Sequence, residues 1–214
     1  MFPTDADVPK DALNGRIDET FVPRAKVTLP EKGKFAEWKE AYLRELRTRV
    51  FCGYPDKPQS SPAPDIKNAF LMRVAEKPVF SWTKKSPPNY FERSHALLGH
   101  TMDEVWLRDT VASIRQDAAE KRPGYLHGAG QAGVIAAYAT LLEPSVDELK
   151  IENPPKSHND GPHFLGILRV LDIPEALGLL APTPLTIIGG NDPAFDRTAE
   201  IYRLAGAADK LTRK

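Results

Sequence analysis

One glycine-rich segment, residues 125–133, constrains the fold of this chain more than any other feature. It holds three glycines within six residues, and an uninterrupted apolar stretch, residues 134–142, follows it directly. Because that stretch consists largely of helix-forming residues, the pattern predicts a short strand, a tight turn and a helix. A unit of this kind brings the N-terminus of a helix to the edge of a sheet, where binding and catalytic groups commonly lie.

Two chemistries use such a turn, and the residues leave both open. Gly128, Gly130 and Gly133 match the G-x-G-x-x-G spacing of a dinucleotide-binding turn. Glu152 then lies about 20 residues further on, where that fold holds a ribose with an acidic residue. The other chemistry is the nucleophile elbow G-x-S-x-G, in which Gly130 occupies the serine position and Ala132 that of the last glycine. The first interpretation predicts a dinucleotide-binding module, and the second a hydrolase fold without its nucleophile.

The elbow interpretation uses more of the chain. In hydrolases with this elbow the acidic residue follows a later strand, and Asp192 comes just after the apolar stretch 185–188. No histidine follows Asp192, although the order of the triad requires one there. Ser157 and His158 form a second candidate relay beside Asp160, and hydrogen bonding within a loop is their alternative role. Asp192, Ser157 and His158 are therefore the candidate catalytic residues, and we expect the isolated chain to be inactive.

Composition narrows the classes of function. The 214 residues include 29 basic and 29 acidic side chains, and this balance argues against a nucleic-acid-binding or membrane-surface protein. The first residues show neither a basic region nor an apolar core, which predicts no signal peptide and, by default, a cytoplasmic location. Cys52 is the only cysteine, and no other spacing of ligand residues indicates a metal. The sequence predicts no metal and no cofactor, and a non-catalytic interaction domain is a third possible class.

Prolines and apolar periodicity divide the chain into three parts. Residues 1–55 predict an extended arm and a helix over 34–51, and residues 56–92 a proline-rich linker with weak strands. Residues 93–214 alternate between strand and helix patterns, which predicts parallel βαβ units and a buried sheet. The predicted strands are 124–128, 148–152 and 184–188, and the predicted helices are 102–122 with a capping box at Thr101 and Glu104, 131–143, 162–171, 174–181 and 196–205. Three strands are few, so we expect an incomplete sheet with an unpaired edge.

Six segments of the chain carry a family resemblance: 17–23, 38–50, 95–103, 155–162, 168–177 and 195–198. They resemble the C-terminal half of large bacterial acetyl xylan esterases and prolyl-oligopeptidase-like α/β hydrolases that contain two modules. The resemblance implies a three-layer α/β/α sandwich of α/β-hydrolase type, preceded by an extended arm and a helix. Only about 40 proline-rich residues replace several strands of the family pattern, which implies a truncated or internally deleted copy.

The same resemblance sets expectations for function. In that architecture the first module holds the catalytic triad and the second is degenerate, so this chain is expected to lack its own triad. Any activity would be the hydrolysis of carboxylic esters, with a carbohydrate ester as substrate. The expected partners are an upstream hydrolase module or a second copy of this chain.

Overall fold

A parallel five-stranded sheet organises the protein. The computed structural model describes residues 24–52, 72–74, 90–122 and 124–214. The strands stand in chain order, and they are β1 (Met72–Val74), β2 (Tyr125–Ala129), β3 (Glu148–Glu152), β4 (Leu185–Ile188) and β5 (Leu211–Arg213). The α/β class with parallel strands is therefore confirmed. Residues 93–214 contribute four of these strands, one more than the three expected there, and β1 lies in the linker, where weak strands were expected. Of the N-terminal arm, residues 1–23 lie outside the described residues, as does most of the linker.

Six α-helices accompany these strands in the described part of the chain. They are α1 (Phe35–Glu45), which continues as a π-helix over Leu46–Val50, α2 (Tyr90–Leu97), α3 (Met102–Ala119), α4 (Gly130–Leu142), α5 (Ile173–Leu179) and α6 (Asp196–Leu204). The predicted cap of α3 is confirmed, because the Thr101 hydroxyl accepts a hydrogen bond from the backbone N–H of Glu104. This bond satisfies one of the donors that a helix leaves free at its start.

The helix expected over 162–171 is wrong. One short 3₁₀ turn, Ile167–Arg169, stands there instead, and another, His158–Asp160, lies just before this range. Gly161 and Gly166 have φ values of +87° and +77°, which lie outside the α-helical region and end any helix at those residues. The apolar residues of this segment therefore belong to a loop that packs against the core.

The described helices that connect the strands lie on one side of the sheet. Each crossover leads to the next strand in the same direction, and crossovers between parallel strands are right-handed. The side chains on the helix-covered face are buried, and they are Leu126, Leu149, Ile151, Leu185 and Ile187. The other face carries His127, Lys150, Glu152 and Thr186, which are only partly buried. The described residues thus form two layers, and the third layer of the predicted sandwich is not among them.

The N-terminal helix packs against the same core. Leu46, Val50 and Phe51 are buried in one cluster with the apolar residues of the α/β part. The chain before α1 is attached as well, since the backbone N–H of Ala25 donates to the carbonyl of Leu168 at 2.8 Å. The proposed divisions of the chain at residues 55 and 92 stay predictions.

Candidate functional site

The three glycines of the turn between β2 and α4 differ in the space around them. Gly130 has a left-handed φ of +54°, and a Cβ atom added there would meet no other atom within 4 Å. A Cβ on Gly128 would lie 2.7 Å from the backbone N and Cα of Gly133. A Cβ on Gly133 would lie 2.4 Å from Cγ2 of Ile151. Gly128 and Gly133 therefore let the helix approach the sheet, whereas the space beside Gly130 is open.

This distribution of space resembles a nucleophile elbow. An elbow holds its central residue in a strained backbone conformation and exposes that residue's side chain above the sheet. Position 130 has both properties, although glycine supplies no reactive atom. The close packing at Gly133 does not discriminate between the two interpretations, because the last glycine of a dinucleotide-binding turn also allows close contact between helix and strand.

Glu152, the candidate ribose ligand, is already engaged. Its Oε1 lies 3.1 Å from Nζ of Lys150 and 2.9 Å from Nε2 of His127. The hydrogen bonds from Lys150 and then from His127 lower the pKa of the Glu152 carboxyl below its usual value. A ribose hydroxyl would have to compete with these two contacts for the ionised carboxylate.

Asp192 lies at the same edge of the sheet as the elbow. Ala129 at the end of β2 aligns with Glu152, and Glu152 aligns with Ile188 at the end of β4. Only β3 separates the two strand ends, which places them about 10 Å apart. The loop after β4 then carries Asp192, so the structure brings Gly130 and Asp192 to one edge without direct contact.

The carboxylate of Asp192 caps the next turn. Its Oδ1 accepts a hydrogen bond of 2.9 Å from the backbone N–H of Ala194, and its Oδ2 lies 3.5 Å from Nζ of Lys156. The bond from Ala194, followed by the charge of Lys156, lowers the pKa of Asp192 below its usual value. Asp192 is therefore ionised near neutral pH, as an orienting acid must be. Its carboxylate, however, is hydrogen-bonded to the backbone of the next turn.

Arg213 holds the loop that carries Asp192, and our sequence analysis did not find it. Its guanidinium donates to the carbonyls of Gly190 and Asp192 at 2.9 and 3.4 Å, and to Oδ1 of Asp196 at 2.7 Å. Arg213 lies on β5, a three-residue strand with a single apolar residue, so no periodic pattern marks it. The signal that remains is an arginine two residues after a leucine, which is too common to be informative.

His158 is buried, and both ring nitrogens have partners. Nδ1 lies 2.7 Å from the carbonyl of Pro162, which can only accept, so Nδ1 carries the proton. Nε2 then accepts the bond of 2.8 Å from the Tyr138 hydroxyl. Burial lowers the pKa of His158 below its ordinary value, and burial also raises the pKa of the Tyr138 hydroxyl. The histidine is neutral, and hydrogen bonds within the fold occupy both of its ring nitrogens.

Ser157 and His158 do not form a relay with each other. The Ser157 hydroxyl donates to Oδ2 of Asp172 at 2.7 Å, and Oδ1 of Asp172 accepts from the backbone N–H of His158 at 2.8 Å. Asp172 thereby fastens both residues of the loop to the start of α5. These contacts favour the alternative role, in which the two residues hydrogen-bond within a loop.

The loop that contains His158 also contacts the elbow. The side-chain amide of Gln131, the second residue of α4, donates to the carbonyl of Asp160 at 2.6 Å. A Cβ atom on Gly161 would lie 2.5 Å from Nε2 of Gln131, so the two segments are in close contact. The first turn of α4 is thus fixed from the side by residues 160–161.

The described ranges contain neither a metal-binding cluster nor a helix that could span a membrane. No three side chains of His, Cys, Asp or Glu come together there in an arrangement that could hold a metal ion. Among the described helices, none combines the length and the apolar character that crossing a membrane requires.

Comparisons with known proteins give a distant structural likeness. No protein-family model matches the chain, and no curated protein matches it. Among solved structures, the chain is similar to a Bacteroides fragilis protein proposed to be an acetyl xylan esterase, at 16% sequence identity and a TM-score of 0.44. The match covers 58% of this chain and 38% of that protein, so it spans well under half of that protein's length. A likeness at this level does not assign a family or an activity.

Proposed function

We propose that this chain is an α/β-hydrolase-type module related to carbohydrate (acetyl xylan) esterases, and that it does not hydrolyse esters by itself. The observation that supports this proposal is the geometry of Gly130. The residue combines a left-handed backbone with open space at the turn between a parallel strand and a helix. A hydrolase places its nucleophile at such a position.

The order of the elements supports the same proposal. In α/β hydrolases the acidic residue follows the nucleophile in the chain and lies on a later strand. Asp192 follows β4, two strands beyond the elbow, at the same edge of the sheet. Active sites of open α/β sheets form at this carboxyl edge.

This chain lacks two of the groups that ester hydrolysis by a catalytic triad requires. Residue 130 has no hydroxyl to attack an acyl carbon, and residues 193–214 contain no histidine to act as a general base. His158 is not a substitute, because Tyr138 and Pro162 occupy its two nitrogens. The backbone N–H groups at the start of α4 could still donate hydrogen bonds to a carbonyl oxygen and so form an oxyanion site.

We therefore expect the wild-type protein to show no serine-hydrolase activity. Loss of the nucleophile alone lowers kcat by about 10⁶ in a serine protease, which would leave only background hydrolysis. The assay uses an activated acetyl ester and a fluorophosphonate probe, with Gly130→Ala as the matched control. Turnover well above that of Gly130→Ala, or covalent labelling by the probe, would contradict the proposal.

A cysteine placed at position 130 should become an activated thiol. In a Cys52→Ser background, Gly130→Cys puts the sulfur at a helix N-terminus, which lowers a thiol pKa by about one unit or more from ~8.5. Gly206→Cys is the matched control, because Gly206 also has a left-handed φ, +72°, and open space, but it follows the C-terminus of α6. The pH dependence of alkylation gives both pKa values. Equal values, or no alkylation at position 130, would show that the elbow is not formed.

A further inference from the structure

The face of the sheet opposite the helices is polar and reaches the solvent. Parallel sheets are normally covered on both faces by apolar layers. Here the strand register aligns His127, Lys150, Thr186 and Thr212 in one row across β2 to β5. The side chains of His127 and Lys150 are 16% and 42% exposed, whereas Leu149 and Ile151 on the other face are fully buried. Only a polar or charged partner suits such a face.

Two opposite charges on this face lie on either side of the middle of the sheet. Lys150 and Glu152 both lie on β3, the central strand of five, and they project from the same face. Two residues along a strand are about 6.7 Å apart. A two-fold axis that lies between two facing sheets, perpendicular to the strands and above Ile151, would bring Lys150 of one copy opposite Glu152 of another copy, twice in each pair.

The existing contacts of Glu152 leave room for that second pairing. Within one copy, Lys150 and His127 both contact Oε1 of Glu152. The other oxygen, Oε2, can accept a hydrogen bond from a second lysine, because a carboxylate has about four acceptor positions. The Glu152 carboxyl is ionised in this environment, so the contact would join full charges of opposite sign.

We infer that the open face of the sheet, defined by His127, Lys150, Glu152 and Thr186, is a docking surface for a second copy of this chain. The two copies meet face to face about a two-fold axis, with reciprocal Lys150–Glu152 contacts. A self-complementary patch is what such an isologous interface requires. This inference is independent of the proposed function and holds whether or not the elbow belongs to a hydrolase module.

The size of the face sets the expected strength of the dimer. Four spacings between five strands give a width of about 19 Å, and the strands have three to five residues each. A face of this size is smaller than a standard specific interface, so we expect a weak, transient dimer that forms only at high micromolar to millimolar concentration. Added salt weakens contacts between partly exposed charges, and the association should therefore decrease as ionic strength rises.

Sedimentation velocity of the full chain and its charge variants tests the inference. Lys150→Glu and Glu152→Lys each place like charges opposite each other, and each is expected to weaken dimerisation at least about tenfold. An equimolar mixture of the two variants should associate again, because one copy then offers two acids and the other two lysines. The double variant Lys150→Glu/Glu152→Lys should also associate.

The controls reverse charges on the helix side. Glu40 and Arg44 on α1 form an exposed pair at 3.5 Å, and Glu40→Lys and Arg44→Glu should leave dimerisation unchanged. Circular dichroism confirms that each variant is folded. A wild-type chain that stays monomeric up to about 1 mM overturns the inference. It is also overturned if the single variants dimerise like wild type, or if neither the mixture nor the double variant recovers.

Discussion

Replacing Gly128 by alanine is expected to destabilise the protein by about 3 kcal/mol or more, the upper range for overpacking. The new Cβ would lie 2.7 Å from N and Cα of Gly133 and 2.9 Å from the carbonyl carbon of Ala132. All three are backbone atoms of α4, so no side chain can rotate away to make room. Helix α4 would have to move off the sheet, and α4 supplies an uninterrupted run of buried residues to the core.

Gly130→Ala is the matched control for this prediction. The substitution adds the same methyl group two residues away, where no atom lies within 4 Å. Its only cost is the left-handed backbone of Gly130, about 1–2 kcal/mol for a residue with a Cβ. Urea denaturation of the wild type and the two variants measures both changes in the free energy of unfolding. If Gly128→Ala costs no more than Gly130→Ala, the close contact between the strand and the helix is not present in solution.

The second large effect is expected at His158. His158→Ala should lower the free energy of unfolding by about 4 kcal/mol, because it opens a cavity and leaves two buried polar groups without their partner. Those groups are the Tyr138 hydroxyl and the Pro162 carbonyl. The ring also packs between the aromatic side chains of Tyr138 and Phe164, at centroid distances of 5.5 and 5.9 Å.

A double-mutant cycle separates the hydrogen bond from the packing. Tyr138→Phe keeps the ring and removes only the hydroxyl, so we expect a loss of about 1–3 kcal/mol. In the double variant Tyr138→Phe/His158→Ala the two losses should not add, because both single changes break the same bond. Strict additivity in thermal or chemical unfolding would mean that Tyr138 and His158 are not coupled.

The sequence predicted best where one element has a strong local pattern. The strand, turn and helix at 125–142 and the cap at Thr101 are both found, because each depends on residues close together in the chain. β5 was missed because three residues give no periodicity, and its pairing with β4 is a tertiary contact that no local pattern shows. The helix expected at 162–171 failed because Gly161 and Gly166 determine that backbone more strongly than the apolar spacing does.

The candidate site was predictable in its position but not in its contacts. The order of Gly130 and Asp192 in the chain placed both at the carboxyl edge of the sheet, which the strand register agrees with. The sequence could not indicate that space is open beside Gly130 but closed beside Gly128, since spacing alone treats the two glycines alike. Nor could it reveal the partners of His158, which come from α4 and from the loop itself.

The agreement between strand order and chain order has a consequence for how the protein folds. Each strand from β2 to β4 pairs with the strands that come just before and after it in the chain. Pairing of consecutive strands closes shorter loops than pairing of strands further apart in the chain would, and shorter loops cost less entropy to close. During synthesis the sheet can therefore grow in one direction, and each new strand needs only the previous strand as its template. The same order resembles that of repeat proteins, in which a unit can be gained or lost without rethreading the rest.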